Sequence, residues 1–168
     1  MTHSMYLSSI PVFMRMFDNL SAILGKALAH AQAQQFDPAQ LLEVRLAADM
    51  YPLPRQIQIA TDSAKGCAAR LAGLEVPSYA DTETTLAELQ ARIAKTQAFL
   101  RGITPEQLDG SAEREIRLKV GGQELQFSGA DYLNGFVLPN FYFHLTTAYN
   151  LLRHQGVPLG KMDYLGGV

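Results

Sequence analysis

The chain has a single cysteine, Cys67, among 168 residues, so no disulfide framework can staple it and no oxidising compartment is implied. It has no run of about 20 apolar residues, so no membrane-spanning helix is expected. The first residues, MTHSMYLSSIPVF, lack the basic region, apolar core and small-residue cleavage site of a secretory signal. A cytoplasmic location is the resulting expectation. Basic residues are scattered along the sequence, the formal net charge is -2 and the pI is about 6.1. Nucleic-acid binders usually carry a basic stripe, so this class is set aside. No HExxH, CxxC, P-loop or GxSxG pattern occurs, which removes the commonest signatures of metal, thiol, nucleotide and serine chemistry.

What remains is helical periodicity with enough chain for one core, and a single domain over 1–168 is expected. Over 8–35, Ile10, Phe13, Phe17, Leu20, Leu24, Leu28 and Ala31 form one stripe, with Ser8 or Ser9 as cap and Pro11 in the first turn. A second line, Val12, Met16 and Ile23, widens that face: it suits deep burial in the chain's own core, or a second subunit. Asp37-Pro38-Ala39-Gln40 predicts the start of a short helix carrying Leu41, Leu42 and Leu46 and ending by Tyr51, before Pro52 and Pro54. Asp49 in that junction reads as a helix cap first and a catalytic carboxylate second.

A third helix is predicted over 54–72, stopped by Gly73. Gln58, Asp62 and Lys65 run beside its apolar face, either as a solvated edge or as partners of a site opposite. Thr85 and Glu88 form a capping box for a helix over 85–101, and Thr104 to Leu108 suggests a single turn. Ile116, Leu118, Val120, Leu125 and Phe127 alternate around Gly121-Gly122, which predicts a β-hairpin insert at about 114–128. Its register pairs Leu118 with Leu125, Ile116 with Phe127 and Lys119 with Glu124, and its apolar face should strap onto the helices.

The last helix is expected to run over 128–157 with a kink at Pro139, followed by an extended tail. One side of it carries Leu133, Phe136, Val137, Asn140, His144, Thr147 and Leu151. The centre of this apolar stripe is thus an amide, an imidazole and a hydroxyl, each of which needs a partner when buried. That patch is the candidate small-molecule pocket, with Asp49, Gln58 and Asp62 as residues that could face it. His144 is the best catalytic candidate, although a lone histidine on an apolar face is more often a hydrogen-bonded core residue. His3, His30 and His154 read as surface residues, and Cys67 as a small buried hydrophobe.

The segments PNFYFH at 139–144, TTAY at 146–149, LLRHQGVPLGK at 151–161, DMYPL at 49–53, AKG at 64–66 and TTLAEL at 84–89 resemble an uncharacterised bacterial branch of the DinB/YfiT-like superfamily. The resemblance covers nearly the whole chain. It implies an all-α fold: a four-helix bundle, commonly dimeric, here with a short extra helix and a small β-hairpin. The wider superfamily holds a divalent metal on three histidines and includes thiol-dependent S-transferases and isomerases. Its last helix resembles HxxxHRGQ followed by LRxxG. In that register His144 matches the second histidine, Asn140 stands at the first and Thr147 at the glutamine, while 52–73 contains no histidine for the third ligand. Asn and Thr are poor substitutes for imidazole. The expectation is therefore a homodimer without metal or known cofactor, with His144 the sole ligand if any ion binds.

Overall fold

The computed structural model describes residues 4–167. His3 lies outside them. Helix α1 (Ile10–Ala33) is followed by a 3-10 turn (Pro38–Leu42), α2 (Leu53–Ala72) and α3 (Leu86–Arg101). Two 3-10 turns (Pro105–Leu108 and Ser111–Glu113) lead into strands β1 (Glu115–Val120) and β2 (Gln123–Ser128). The chain then winds without a break through α4 (Gly129–Asp131), a π-helical segment (Tyr132–Val137) and α5 (Leu138–His154), and ends in α6 (Lys161–Leu165). Helix α2 packs between α3 and α5, and α1 closes the ring against both. This is the four-helix bundle with an added hairpin that the periodicity and the resemblance imply.

The core follows from the stripes. Phe13, Phe17, Leu24, Leu53, Ile57, Leu71, Leu89, Ile93, Leu133 and Phe141 are fully buried. Phe141 meets Phe13 and Phe17 edge-on, with ring centroids 4.9 and 5.3 Å apart. Such geometry aligns the positive ring edge with a negative ring face. Local chemistry sets several boundaries as expected. Thr85 Oγ1 accepts from Glu88 N–H, and the Glu88 carboxylate accepts from Thr85 N–H at 3.0 Å, closing a capping box. Gly73 ends α2 in the left-handed conformation. The hairpin has the expected register, turning on Gly121 and Gly122 at φ of 58° and 83°.

Five expectations are corrected. Ser9 occupies the N-cap position of α1, but its hydroxyl donates back to Met5 O at 2.6 Å instead of capping. After Leu42 the chain leaves the helical path: Leu46 is largely out of the core, and Arg45 closes the 43–52 loop by donating to Met50 O at 2.5 Å. Asp49 is exposed and caps nothing; Pro52 holds the N-cap position of α2. The tail is helical, because α6 is tied down by Lys26–Asp163 at 2.6 Å and by Asn19 donating to Tyr164 O at 2.9 Å. Tyr164 and Leu145 border Met16 and Ile23, so the wide face of α1 is covered within the chain.

The fifth correction concerns Pro139. It has no N–H for the carbonyl of Gly135, and its ring crowds that carbonyl in regular α-winding. The strain is absorbed by π-winding over Tyr132–Val137, and Pro139 then sits in the first turn of α5, where a missing N–H costs nothing. One turn earlier, backbones almost touch: a Cβ added at buried Gly129 would lie 1.9 Å from the carbonyl oxygen of Ser111. Ser111 Oγ is the one buried side-chain polar atom without a partner among the described residues. Gly129→Ala is therefore expected to lower stability by about 3 kcal/mol through overpacking against backbone, read as a fall in the urea midpoint; an unchanged midpoint would contradict this packing.

Candidate functional site

The bundle buries polar side chains along the seam between α2 and α5. Three pairs cross it: Gln56 with His144, Ser63 with Asn140, and Arg70 with Tyr132 of the adjoining π segment. Positions 56, 63 and 70 are two turns apart and so share one face of α2. Their partners run in the opposite chain direction, which makes the seam antiparallel.

The first pair fixes a tautomer. Gln56 Nε2 donates to Tyr51 O at 2.9 Å, a carbonyl that can only accept. Gln56 Oε1 is thereby turned to His144 Nδ1, 2.7 Å away. An amide oxygen accepts, so Nδ1 carries the proton and Nε2 carries the lone pair. Burial, then the nearby Arg55 cation, pushes the imidazole down to about 4. His144 is neutral at physiological pH and offers one acceptor nitrogen. In the second pair, Asn140 Nδ2 donates to Ser63 Oγ at 2.8 Å. In the third, Arg70 Nη1 donates to the Tyr132 hydroxyl at 3.0 Å. Burial pushes that phenol up to about 12, against the opposing pull of Arg70, so it stays protonated.

The other sequence candidates separate. Thr147 donates to Phe143 O at 2.7 Å within its own helix, a local bond that uses its only proton and leaves it no donor for a ligand. Gln58 Nε2 donates to Glu83 at 3.0 Å. Asp62 accepts from Lys65 at 2.8 Å and from Arg92 at 2.9 Å. Asp49 lies outside this arrangement. Cys67 is buried, which pushes its thiol up and makes it inert. His154 is exposed, and His30 is half-buried edge-on to Phe36.

Sequence reasoning missed Arg92. Its apolar neighbours in α3 are core residues, and the guanidinium is buried with them. It donates to Thr61 Oγ1, Ala80 O, Glu83 and Asp62 at 2.7 to 3.0 Å, and lies 3.0 Å from Asp81. It thereby clamps the 79–83 connection onto α2. Burial raises the pKa of Glu83, but bonds from Arg92 and Gln58 outweigh this and hold it below the usual carboxylate range.

Two depressions adjoin these networks. One, of about 340 Å³, is lined by Tyr79, Glu83, Arg92 and Lys95; Glu83 pairs with Arg92 there, and the Lys95 ammonium lies over the Tyr79 ring. The other is a groove of about 390 Å³ between α2, the π segment and β1. Its walls are Arg55, Ile59, Asp62, Ser63 and Arg70 from α2, Arg117 to Val120 from β1, and Tyr132, Phe136 and Val137. Of the six sequence candidates only Asp62 lines it directly; Asn140 reaches it through Ser63. Cations that are scattered in sequence converge here.

The chain belongs to the DUF1993 family. The family model, described as a domain of unknown function, matches residues 5–165. A DinB family member protein from Shewanella denitrificans, solved as a crystal structure, is similar at 43% identity, with a TM-score of 0.90 over 97% of this chain and 92% of that one. No curated protein matches. The family is thus a DinB-like branch without an assigned function, as the resemblance implies. The superfamily's metal does not fit this DUF1993 chain: Asn140 turns its N–H₂ to Ser63, the Thr147 hydroxyl replaces a glutamine, and among the described residues no group of three His, Cys, Asp or Glu side chains is placed to hold an ion.

Two outcomes test this geometry. Long-range nitrogen–proton NMR should show His144 as the Nδ1–H tautomer, neutral down to about pH 4. Because the folded pKa lies below the unfolded one, the unfolded state binds more protons between them. The stability present at pH 7 should thus be lost progressively as pH drops from about 6.5 towards 4. Replacing Gln56 by Leu should abolish the tautomer preference. For the clamp, Arg92→Lys should cost about 2 kcal/mol in urea unfolding despite the retained charge, because an ammonium cannot span the fork of acceptors.

Proposed function

We propose that this protein binds a small molecule, without a metal centre, in the groove between α2, the π segment and the hairpin, beside Asn140 and His144. The observation that carries the reading is the groove itself. Its volume of about 390 Å³ is that of a small-ligand site. Ile59, Val137 and Phe136 give it apolar lining, beside a few polar and charged side chains. Ser63 accepts from Asn140, so its own hydroxyl proton is free to meet a ligand acceptor. His144 has its proton on Nδ1 and keeps Nε2 as an acceptor at the same seam.

The proposal includes a cytoplasmic homodimer, as expected from the sequence and its resemblance. No helix among the described residues is long and apolar enough to cross a membrane. The alternative is a divalent-metal-dependent thiol S-transferase or hydrolase of the superfamily type using His144. It has one histidine where the superfamily has three, which disfavours it.

Elemental analysis of protein purified without a His-tag or chelator decides between the two. A stoichiometric ion in the parent protein that is lost in His144→Ala would overturn the metal-free reading. Binding is tested by thermal-shift screening of the parent protein beside Ile59→Trp, which fills the groove. Compounds should raise the melting temperature of the parent only. If no compound does, or if the shifts are equal in both proteins, the groove is not the ligand site.

A further inference from the structure

We infer that the groove selects an organic anion: a small amphiphilic molecule with a carboxylate- or phosphate-type head and an apolar body. This rests on the groove being the ligand site. The chain carries a net charge of -2, yet Arg55, Arg70, Arg117 and Lys119 all line this one depression. Its only carboxylate is Asp62, and Asp62 is already shared by Lys65 and Arg92 from outside the groove. Asp81 and Glu115 partly offset Arg55 and Arg117, but Arg70 and Lys119 have no ion pair among the described residues, so the walls keep a net positive potential, which a concave, low-dielectric surface focuses.

The four cations are differently prepared. Arg70 is held in place by the Tyr132 hydroxyl, and one guanidinium N–H of five is used there. Room for it comes from Gly66, where an added Cβ would lie 2.5 Å from Arg70 Nη1. Arg55 is steadied by Asp81 at 2.6 Å and Arg117 by Glu115 at 2.5 Å. Lys119 has no ion-pair partner among the described residues, although Glu124 stands opposite it in the ladder. A planar anion is what forked guanidinium donors recognise best. The head group would sit among Arg70, Arg117 and Lys119, and the Ser63 hydroxyl can add a donor. The apolar body would lie on Phe136, Val137, Ile59 and Leu118, which offer nothing to a second charge.

The test compares two fluorescent probes of similar shape and different charge. One is the sulfonate 8-anilinonaphthalene-1-sulfonate, and the other is neutral N-phenyl-1-naphthylamine. Each is titrated into the full chain and into an Arg117→Gln, Lys119→Gln double variant, whose changes lie on an exposed hairpin. The anionic probe should bind more tightly than the neutral one, and the double variant should weaken it by roughly tenfold, as expected for losing charge-assisted contacts. Inorganic phosphate should displace it. Equal affinity for both probes, each lost in Ile59→Trp, would overturn the anion class and leave the groove as a ligand site. No binding of either probe would overturn both readings. Anionic binding unchanged in the double variant would place the probe elsewhere and overturn the anion assignment.

Discussion

The α2–α5 seam is the constraint on which the rest of this bundle depends. The amide of Gln56, the imidazole of His144 and the hydroxyl of Tyr132 are buried, and each costs a few kcal/mol when unpaired and close to nothing when paired. Gln56, Ser63 and Arg70 supply partners at two-turn intervals, and His144, Asn140 and Tyr132 receive them in reverse order. Sliding α5 along α2 by one turn would break all three pairs at once, whereas the leucine and phenylalanine contacts around them could repack. Apolar packing supplies the stability of the bundle, and the polar rungs fix its register. With the register fixed, Arg55 and Ser63 emerge on the flank of α2 that faces the hairpin.

The π segment is the second consequence of a local conflict. Pro139 removes one hydrogen bond and crowds Gly135, and the chain answers by widening the turn before it. The wider turn changes which residues face inward. An uninterrupted α-helix through Asn140 puts Leu133 on the stripe and turns Tyr132 away by about 80°, at 3.6 residues per turn. In the fold both are buried, and Tyr132 is among the largest fully buried side chains. Its hydroxyl is thereby placed to hold Arg70, and its ring lies 6.1 Å from Phe136 in a stacked pair that forms the wall of the groove. A proline that looks like a defect in the last helix thus organises the side of the site furthest from His144.

This pattern explains what the sequence revealed and what it hid. The capping box at Thr85 and Glu88, the Gly73 stop and the Gly-Gly hairpin register were legible, because each is settled by residues a few positions apart. The polar centre of the last helix was legible as a problem: Asn140 and His144 had to have partners, though Ser63 and Gln56 could not be named. Helix α6 was hidden because its anchors, Lys26 and Asn19, lie over a hundred residues away. Arg92 was hidden because an arginine on an amphipathic helix ordinarily snorkels to water, and only the 79–83 connection supplies enough acceptors to bury it. The 43–52 segment had helical apolar spacing, but Arg45 gave its backbone a competing partner in Met50.

The groove was hidden for a different reason, and this bears on function. Whole-chain charge is a sum, while recognition depends on where the terms fall. Residues 55, 70, 117 and 119 look scattered in a slightly acidic sequence, and become neighbours only when a hairpin folds across α2. Arg70 is also a rung of the seam, but the stability of the bundle does not require Arg55, Arg117 and Lys119 to gather beside it. Placing Arg70 and Arg117 near each other raises the energy of the empty protein, since like charges repel across the depression. Part of this is relieved at the rim, where Asp81 bridges Arg55 and Arg92 and Glu115 holds Arg117, but Asp62 is shared by Lys65 and Arg92, and Arg70 and Lys119 have no ion-pair partner among the described residues. A depression that gathers four cations and leaves two of them without an ion pair is explained more simply by an anionic ligand than by packing. On the proposed reading, function in this DinB-like scaffold rests on the cations along the side of the seam and not on a metal at the end that His144 occupies.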